Sequence, residues 1–368
     1  SRNFAAMAAL RVVNMAGETI LEKVESLENV EDCADFASYL KDLVQEKTGF
    51  PRYRLTLLLA DGSDGKSWEE LGRPQEVQAV FNQVTTDMAD ELMTAIYQKD
   101  AHRAHAVLEQ RQDPNCQDAD GHPAILVAAA VGSCEILKIL LKAGANIEAV
   151  DRLLEKPLHA AAESGRIDCV QLLLEHGADV NQPQEAGFTA LHMAARHGHV
   201  AVLRFLLEAG AKLDCRDQMG ANVLHTAAEH GQVDVVNFLL EAGMDIEATE
   251  EAGATALYLA AENGQLPVVQ ALIEAGADKN AADEAGATAL YTAAQYGHDE
   301  VVQYLVKAGA DRRKSKKFGG SPMSIATCRG HVKVLDVLEG SPRRSELLKE
   351  IASLLTSHRE DDAMFGCH

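Results

Sequence analysis

Residues 251–265 read EAGATALYLAAENGQ and residues 284–298 read EAGATALYTAAQYGH, so nearly the same phrase returns after 33 positions. The interval reaches well beyond these two stretches. One glycine series runs Gly132, Gly165, Gly198, Gly231, Gly264, Gly297 and Gly330, and a second runs Gly144, Gly177, Gly210, Gly243, Gly276 and Gly309, each step again 33 residues. Self-similarity at a fixed period of this length is the signature of a repeat architecture.

The pattern inside one unit is physical. Thr255–Asn263, TALYLAAEN, combines small residues with leucine as a tightly packed short helix requires, and Gly264 ends it where a positive φ is cheap. In the following QLPVVQALIEAG, Val268, Val269, Leu272 and Ile273 form one apolar stripe, and Pro267 falls in the first turn, where its missing N–H is harmless. Gly276 is expected to cap this second helix, and ADKNAADEAG to run out and back as an exposed β-hairpin finger. A helix–turn–helix–finger of this size encloses no core of its own, so its stripe is buried against the next unit. Fully burying one Leu or Ile contributes roughly 1.5–3 kcal/mol, which makes stacking the source of stability.

Two stretches, EKPLHAAAESGRIDCVQLLLEHGADVN (Glu155–Asn181) and GFTALHMAARHGHVAVLRFLLEAGA (Gly187–Ala211), carry T-P-L-H, A-A-x-x-G-H and L-L-x-x-G-A elements, and by these the chain resembles the ankyrin repeat family. The resemblance implies an α-rich solenoid of seven repeats over residues 118–340. A degenerate eighth, at residues 85–117, has Lys99 and Arg111 where glycines belong and reads as a polar cap. SELLKEIASLLTSH (Ser345–His358), with Leu347, Leu348, Ile351, Leu354 and Leu355 on one face, is expected as a capping helix within residues 341–358, leaving a tail at 359–368. The chain departs from the family pattern where Leu154 replaces the finger glycine, Tyr258 and Tyr291 the usual histidine, and Met244 the alanine after the cap.

The first eighty residues follow another rule. Apolar residues alternate around a glycine turn in LRVVNMAGETILEKVES, Phe36, Leu40, Leu43 and Val44 share a helical face, and RLTLLLADG and EVQAVFNQV read as strands, an order of ββαββ. TGFPRYRLTLLLADG (Thr48–Gly62) resembles the helix-end glycine, proline turn and third strand of ubiquitin-like domains. Residues 8–84 are therefore expected to form a small α+β ubiquitin-like β-grasp domain. The resemblance places Leu58 at that family's partner-binding position. The last strand runs on toward the first repeat rather than ending in a free Gly-Gly, so the domain is expected to be a built-in module and not a transferable tag.

Charge narrows the function classes. The net charge is −22; residues 84–311 hold 14 Lys/Arg against 35 Asp/Glu, a balance of −21, whereas residues 312–368 hold 11 against 7, or +4. An acidic array repels a phosphate backbone, so the repeats are not expected to bind nucleic acid. No run of apolar residues is long enough to span a membrane. Seven cysteines without a C-x-x-C pair point to free thiols in a reducing compartment, and the protein is expected in the cytoplasm or the nucleus, as a monomer. The chain opens at Ser1, which leaves open an upstream segment or a natural start at Met7.

Neither a metal, a cofactor nor a catalytic constellation is expected. His159, His192 and His225 stand in register, yet packed repeats sit about 8–10 Å apart and zinc ligands about 2 Å from their ion. Such histidines are expected to bond a neighbouring repeat's backbone instead, and His197 and His199 face the same shortage of ligands. G-x-S-x-G, phosphate-loop and H-E-x-x-H motifs do not occur.

The binding surface is sought where ankyrin repeats vary, beside the finger glycine and after the A-A pair. Those positions are Leu153, Leu154 and Glu155; Phe188, Arg196 and His197; Met219 and His230; Glu262; and Gln295, Tyr296 and Phe318. Apolar groups among polar ones are the makeup of a contact patch with a few anchors, expected on one continuous concave face. Leu153–Leu154 is the preferred anchor, because leucine at a tip that wants glycine worsens local fit without a core reward. Repeats five and six share the finger E-A-G-A, which marks duplication or an acidic spacer. The basic run Arg312, Arg313, Lys314, Lys316 and Lys317 reads either as a solvated finger or as an import or docking signal around Ser315. The resulting expectation is a non-catalytic adaptor whose array holds one protein while the N-terminal module meets a second, from the ubiquitin system by resemblance. The alternative is the regulatory part of an enzyme whose catalytic domain lies elsewhere.

Overall fold

The computed structural model describes residues 11–13, 19–21, 33–49, 55–59, 76–81, 86, 88–317 and 320–340. They group into two compact units. One reaches to Ala161 and includes Asp168–Ala178; the other comprises Ala162–Ile167 and the residues from Asp179 onward.

The first unit opens with β1 (Arg11–Val13), β2 (Thr19–Leu21), α1 (Cys33–Thr48), β3 (Leu55–Leu59) and β4 (Glu76–Phe81). The sheet order is β2-β1-β4-β3. β1 pairs antiparallel with β2 and parallel with β4, while β3 and β4 are antiparallel. A parallel pair cannot be joined by a tight turn, and here α1 and β3 lie in the long connection between β1 and β4. α1 contacts β2 and β3. Leu40 and Val44, one turn apart, are fully buried, as are Val12 and Ala79.

A helix pair follows, α2 (Ala89–Tyr97) and α3 (Ala101–Glu109), with Asp100 as N-cap accepting from the Arg103 amide at 2.9 Å. This degenerate repeat keeps the fold of a regular one without its glycines. Lys99 and Arg111 hold φ of +56° and +68°, the left-handed conformations that glycine supplies one period later at Gly132 and Gly144. An L-residue there costs roughly 1–2 kcal/mol. Burial of Leu92, Met93, Ala95, Ile96, Val107 and Leu108 opposes that cost.

Seven regular pairs come next: α4 (Ala124–Val131) with α5 (Cys134–Lys142), α6 (Pro157–Glu163) with α7 (Ile167–Glu175), α8 (Ala190–Arg196) with α9 (Val200–Glu208), α10 (Val223–Glu229) with α11 (Val233–Glu241), α12 (Ala256–Glu262) with α13 (Leu266–Glu274), α14 (Ala289–Tyr296) with α15 (Asp299–Lys307), and α16 (Pro322–Arg329) with α17 (Val332–Glu339). In the second unit α8, α10, α12, α14 and α16 pack in succession, and α9, α11, α13, α15 and α17 do likewise. The buried alanine pairs Ala194–Ala195, Ala227–Ala228, Ala260–Ala261 and Ala293–Ala294 let the first helices approach closely, since interaxial distance follows side-chain size. The stripe on α13 is buried at Val268, Val269 and Leu272, as its spacing requires.

One recurring side-chain bond stitches consecutive repeats of the second unit. His199, Gln232, Gln265, His298 and His331 stand 33 residues apart, and each bonds a carbonyl 36 residues back, those of Glu163, Arg196, Glu229, Glu262 and Gln295, at 2.8–3.2 Å. Gly165, Gly198, Gly231, Gly264 and Gly297, at the ends of first helices, are thereby constrained twice. Gly264 needs its positive φ, and a Cβ there would lie 2.6 Å from Nδ1 of His298.

The fingers are hairpins reduced to a single bridge, at Gln117–Pro123 in the first unit and at Arg216–Asn222, Thr249–Thr255 and Ala282–Thr288 in the second. The capping helix expected within 341–358 and the tail at 359–368 lie outside the described residues.

Candidate partner-binding surface

In the first unit the finger at 151–155 is built around Asp151. Its Oδ1 accepts from the amides of Leu153 at 2.8 Å and Glu155 at 2.9 Å. Leu154 takes φ +56°, the conformation held by Gly121 one repeat earlier. The turn that needs glycine is thus formed by leucine, at a cost of roughly 1–2 kcal/mol. Leu153 remains 66% exposed and Leu154 48% exposed, so neither gains a core in return. Glu155 is half-buried.

The tips of the second unit form a hydrogen-bonded row. The amides of Gln218, Glu251, Glu284 and Lys317 donate to the carbonyls of Ala186, Met219, Ala252 and Ala285 at 2.8–3.1 Å. Met219 rides on this row at 66% exposure. Phe188 is half-buried with its ring edge-on to buried His192, 5.6 Å between centroids, so it braces the core as well as facing outward.

At the ends of the first helices the expected residues are held by the stitches. His197 stacks on His199 at 6.3 Å and pairs with Glu163 at 3.1 Å. Tyr296, 50% exposed, stacks on His298 at 6.4 Å. Arg196 is exposed, while His230 and Glu262 are half-buried. The stitches His199 and His298 therefore have two jobs, tying a repeat to its predecessor and presenting a ring beside the exposed side chain. Phe318 lies outside the described residues, as does the side chain of Leu58, whose backbone pairs with Gln78.

The basic run, in the last finger, is largely engaged by groups outside it. Arg312 donates to the Leu338 carbonyl at 3.2 Å, Lys314 to the Asn280 carbonyl at 2.6 Å, and the Lys316 ammonium sits 5.9 Å from the Tyr291 ring centroid. Arg313 and Lys317 are exposed.

Of the histidines weighed as metal ligands, His159, His192 and His225 are core groups. The amides of Lys156, Thr189 and Asn222 donate to Nδ1 of His159, His192 and His225, each at 3.2 Å. Nε2 of His225 lies 3.2 Å from the Ala254 carbonyl of the next repeat, the cross-repeat bond expected of this series. Burial holds the His225 imidazole below its ordinary value, with the Ala254 carbonyl opposing that shift.

One cluster escaped the sequence reading. The Tyr97 hydroxyl donates to Oδ2 of Asp118 at 2.7 Å, and Nδ1 of His122 lies 3.1 Å from the same oxygen. The hydrogen bond to Asp118 pushes the Tyr97 phenol up to about 12. Burial would raise Asp118, but bonds from the His122 amide, Tyr97 and the His122 ring outweigh it and hold the carboxyl down at about 2. Asp118, Asp120 and His122 bring ligand atoms within 4.8 Å of one another. Both oxygens of Asp118 are already engaged, which accounts for that proximity as a finger turn. Tyr97 is 53% exposed and stands in 33-residue register with Arg196 and Glu262; counting back from them would have found it.

Among the described residues no helix is long and apolar enough to cross a membrane. A search of curated protein sequences found no match. Family models match under three descriptions: ankyrin repeats (many copies) at residues 158–207 and 224–273, ankyrin repeats (3 copies) at 257–341, and ankyrin repeat at 120–152. Among solved structures, the human ASB11 ankyrin repeat domain is similar at 30% identity and a TM-score of 0.53, over 59% of this chain and 98% of that one. The stacked helix pairs, their single-bridge fingers and these matches agree, and the chain belongs to the ankyrin repeat family.

Proposed function

We propose that the protein is a non-catalytic adaptor whose repeats hold a protein partner along the finger tips and first-helix ends. The observation that carries this reading is the Leu153–Leu154 tip, where a left-handed leucine leaves two large apolar side chains in solvent. An exposed apolar pair rimmed by Asp151 and Glu155 has the makeup of an interface anchor. Met219, Arg196, His197 and Tyr296 extend the contact set in the second unit.

The N-terminal module is the second docking element, of ubiquitin-like type and directed at a ubiquitin-system protein. The mixed sheet order β2-β1-β4-β3 with its central parallel pair supports that reading. Holding two partners on one chain raises their effective concentration without chemistry. The protein acts as a monomer in the cytoplasm or nucleus.

The test is affinity capture with the full chain, followed by hydrogen-exchange mapping of the chain with each purified partner. Slowed exchange at 151–155, 219 and 296 supports the reading. Protection confined to the outward faces of α9, α11 and α13 contradicts it.

A further inference from the structure

Cys134 opens α5, and Cys169 lies in the first turn of α7. Their Sγ atoms are 2.7 Å apart and no disulfide joins them. A disulfide bond measures about 2.03–2.05 Å, so the pair is already close to bonding distance.

Neither cysteine is required by the repeat. In the register of Cys134 other repeats carry Ile167, Val200, Val233, Leu266, Asp299 and Val332, and in that of Cys169 they carry Ile136, Val202, Val235, Val268, Val301 and Val334. The two cysteines lie 35 residues apart, two off the 33-residue period, and meet across neighbouring repeats. Two positions that are mostly aliphatic in other repeats hold thiols here, and the fold brings them together.

Both sit in the first turns of their helices. Their exposure differs: Cys169 is fully buried and Cys134 half-buried. Among the other described thiols, burial pushes Cys116 up to about 11 and raises Cys215, and Cys215 contacts Thr189 and His192.

We propose that Cys134 and Cys169 are an oxidisable dithiol, converted by a low-molecular-weight disulfide such as oxidised glutathione into a bridge joining α5 to α7. The Cys134 thiolate attacks one sulfur of the oxidant, forming a mixed disulfide and releasing one glutathione thiolate. The Cys169 thiolate then attacks the Cys134 sulfur, closing the bridge and releasing the second. Two electrons pass from the pair to the oxidant, and the two thiol protons end on the two glutathione molecules. The bridge encloses the finger that carries Leu153 and Leu154, and it limits how far the flanking helices can separate when the chain opens.

The experiment incubates the reduced full chain with oxidised glutathione to completion, blocks remaining thiols with N-ethylmaleimide, digests, and identifies cysteine peptides by mass spectrometry. The expected product is a peptide pair joined through Cys134 and Cys169, about 2 Da lighter than its reduced components. It is accompanied by slower hydrogen exchange in α5 and α7 than in the reduced chain. Cys134→Val and Cys169→Val, which restore the residue used by other repeats and so keep the fold, each abolish the cross-link. Recovery of both cysteines as maleimide adducts, or stable glutathione adducts without a cross-link, would overturn the proposal.

Discussion

Two fingers of the same design solve one turn differently. At 250–254 Gly253 supplies a φ of +80° and a place where no side chain fits, because a Cβ would stand 2.9 Å from the Glu284 amide nitrogen. At 151–155 the matching position is Leu154, left-handed at +56° and exposed. The first finger is uniform with its neighbour at 283–287 and carries acidic side chains; the second accepts strain and displays two leucines. Within a repeat protein the departures from the period, rather than the period, are where specificity is to be sought.

Exchanging the two solutions gives the largest effect. Gly253→Leu adds left-handed strain and a backbone clash, and a loss of about 2–4 kcal/mol is expected from the urea midpoint. A loss below about 1 kcal/mol would mean the finger relaxes freely and glycine is not needed there.

The stitches come next. His298→Ala removes the bond to the Glu262 carbonyl and the ring on which Tyr296 stacks, and should lower stability by about 1–2 kcal/mol. His298→Gln, which copies Gln265, should recover most of it; equal losses in both variants would remove the hydrogen bond from the account.

The period made the helix pairs and the left-handed turns legible, and apolar alternation and helical spacing did the same for the strand and helix order ahead of them, because each follows from spacing along one chain. Lys99, Arg111 and Leu154 were visible as missing glycines, though the sequence did not show that the backbone keeps φ positive without them. What stayed hidden depends on who stands opposite. That the Cβ place of Gly264 is filled by His298, that Tyr97 bonds Asp118, that Cys134 meets Cys169 and that Arg312 and Lys314 are tied to carbonyls are facts of side-chain partnership between repeats, which a period does not encode.

A pH dependence separates histidine repeats from tyrosine repeats. His225 is held below its ordinary value of 6.5 chiefly by burial, so the unfolded chain takes up its proton first as the pH falls. Its share of stability is complete above about pH 6.5 and declines below it, by at most about 1.4 kcal/mol per pH unit. Tyr258 and Tyr291 hold the same register, so His225→Tyr should flatten this part of the profile between pH 7 and 5. An identical slope in the variant would assign the dependence elsewhere.

The smallest effect is a gain. Leu154→Gly relieves the left-handed leucine, offset by the greater freedom of glycine in the unfolded chain, and should raise stability by about 0.5–1 kcal/mol.

The most direct measurement is the affinity of the captured partner for the full chain and for its Leu153→Ser, Leu154→Gly variant, with thermal unfolding of both. The account predicts a variant at least as stable as the parent whose affinity is weaker by about 30-fold, the loss of one strong anchor. An undiminished affinity in a folded variant would contradict it.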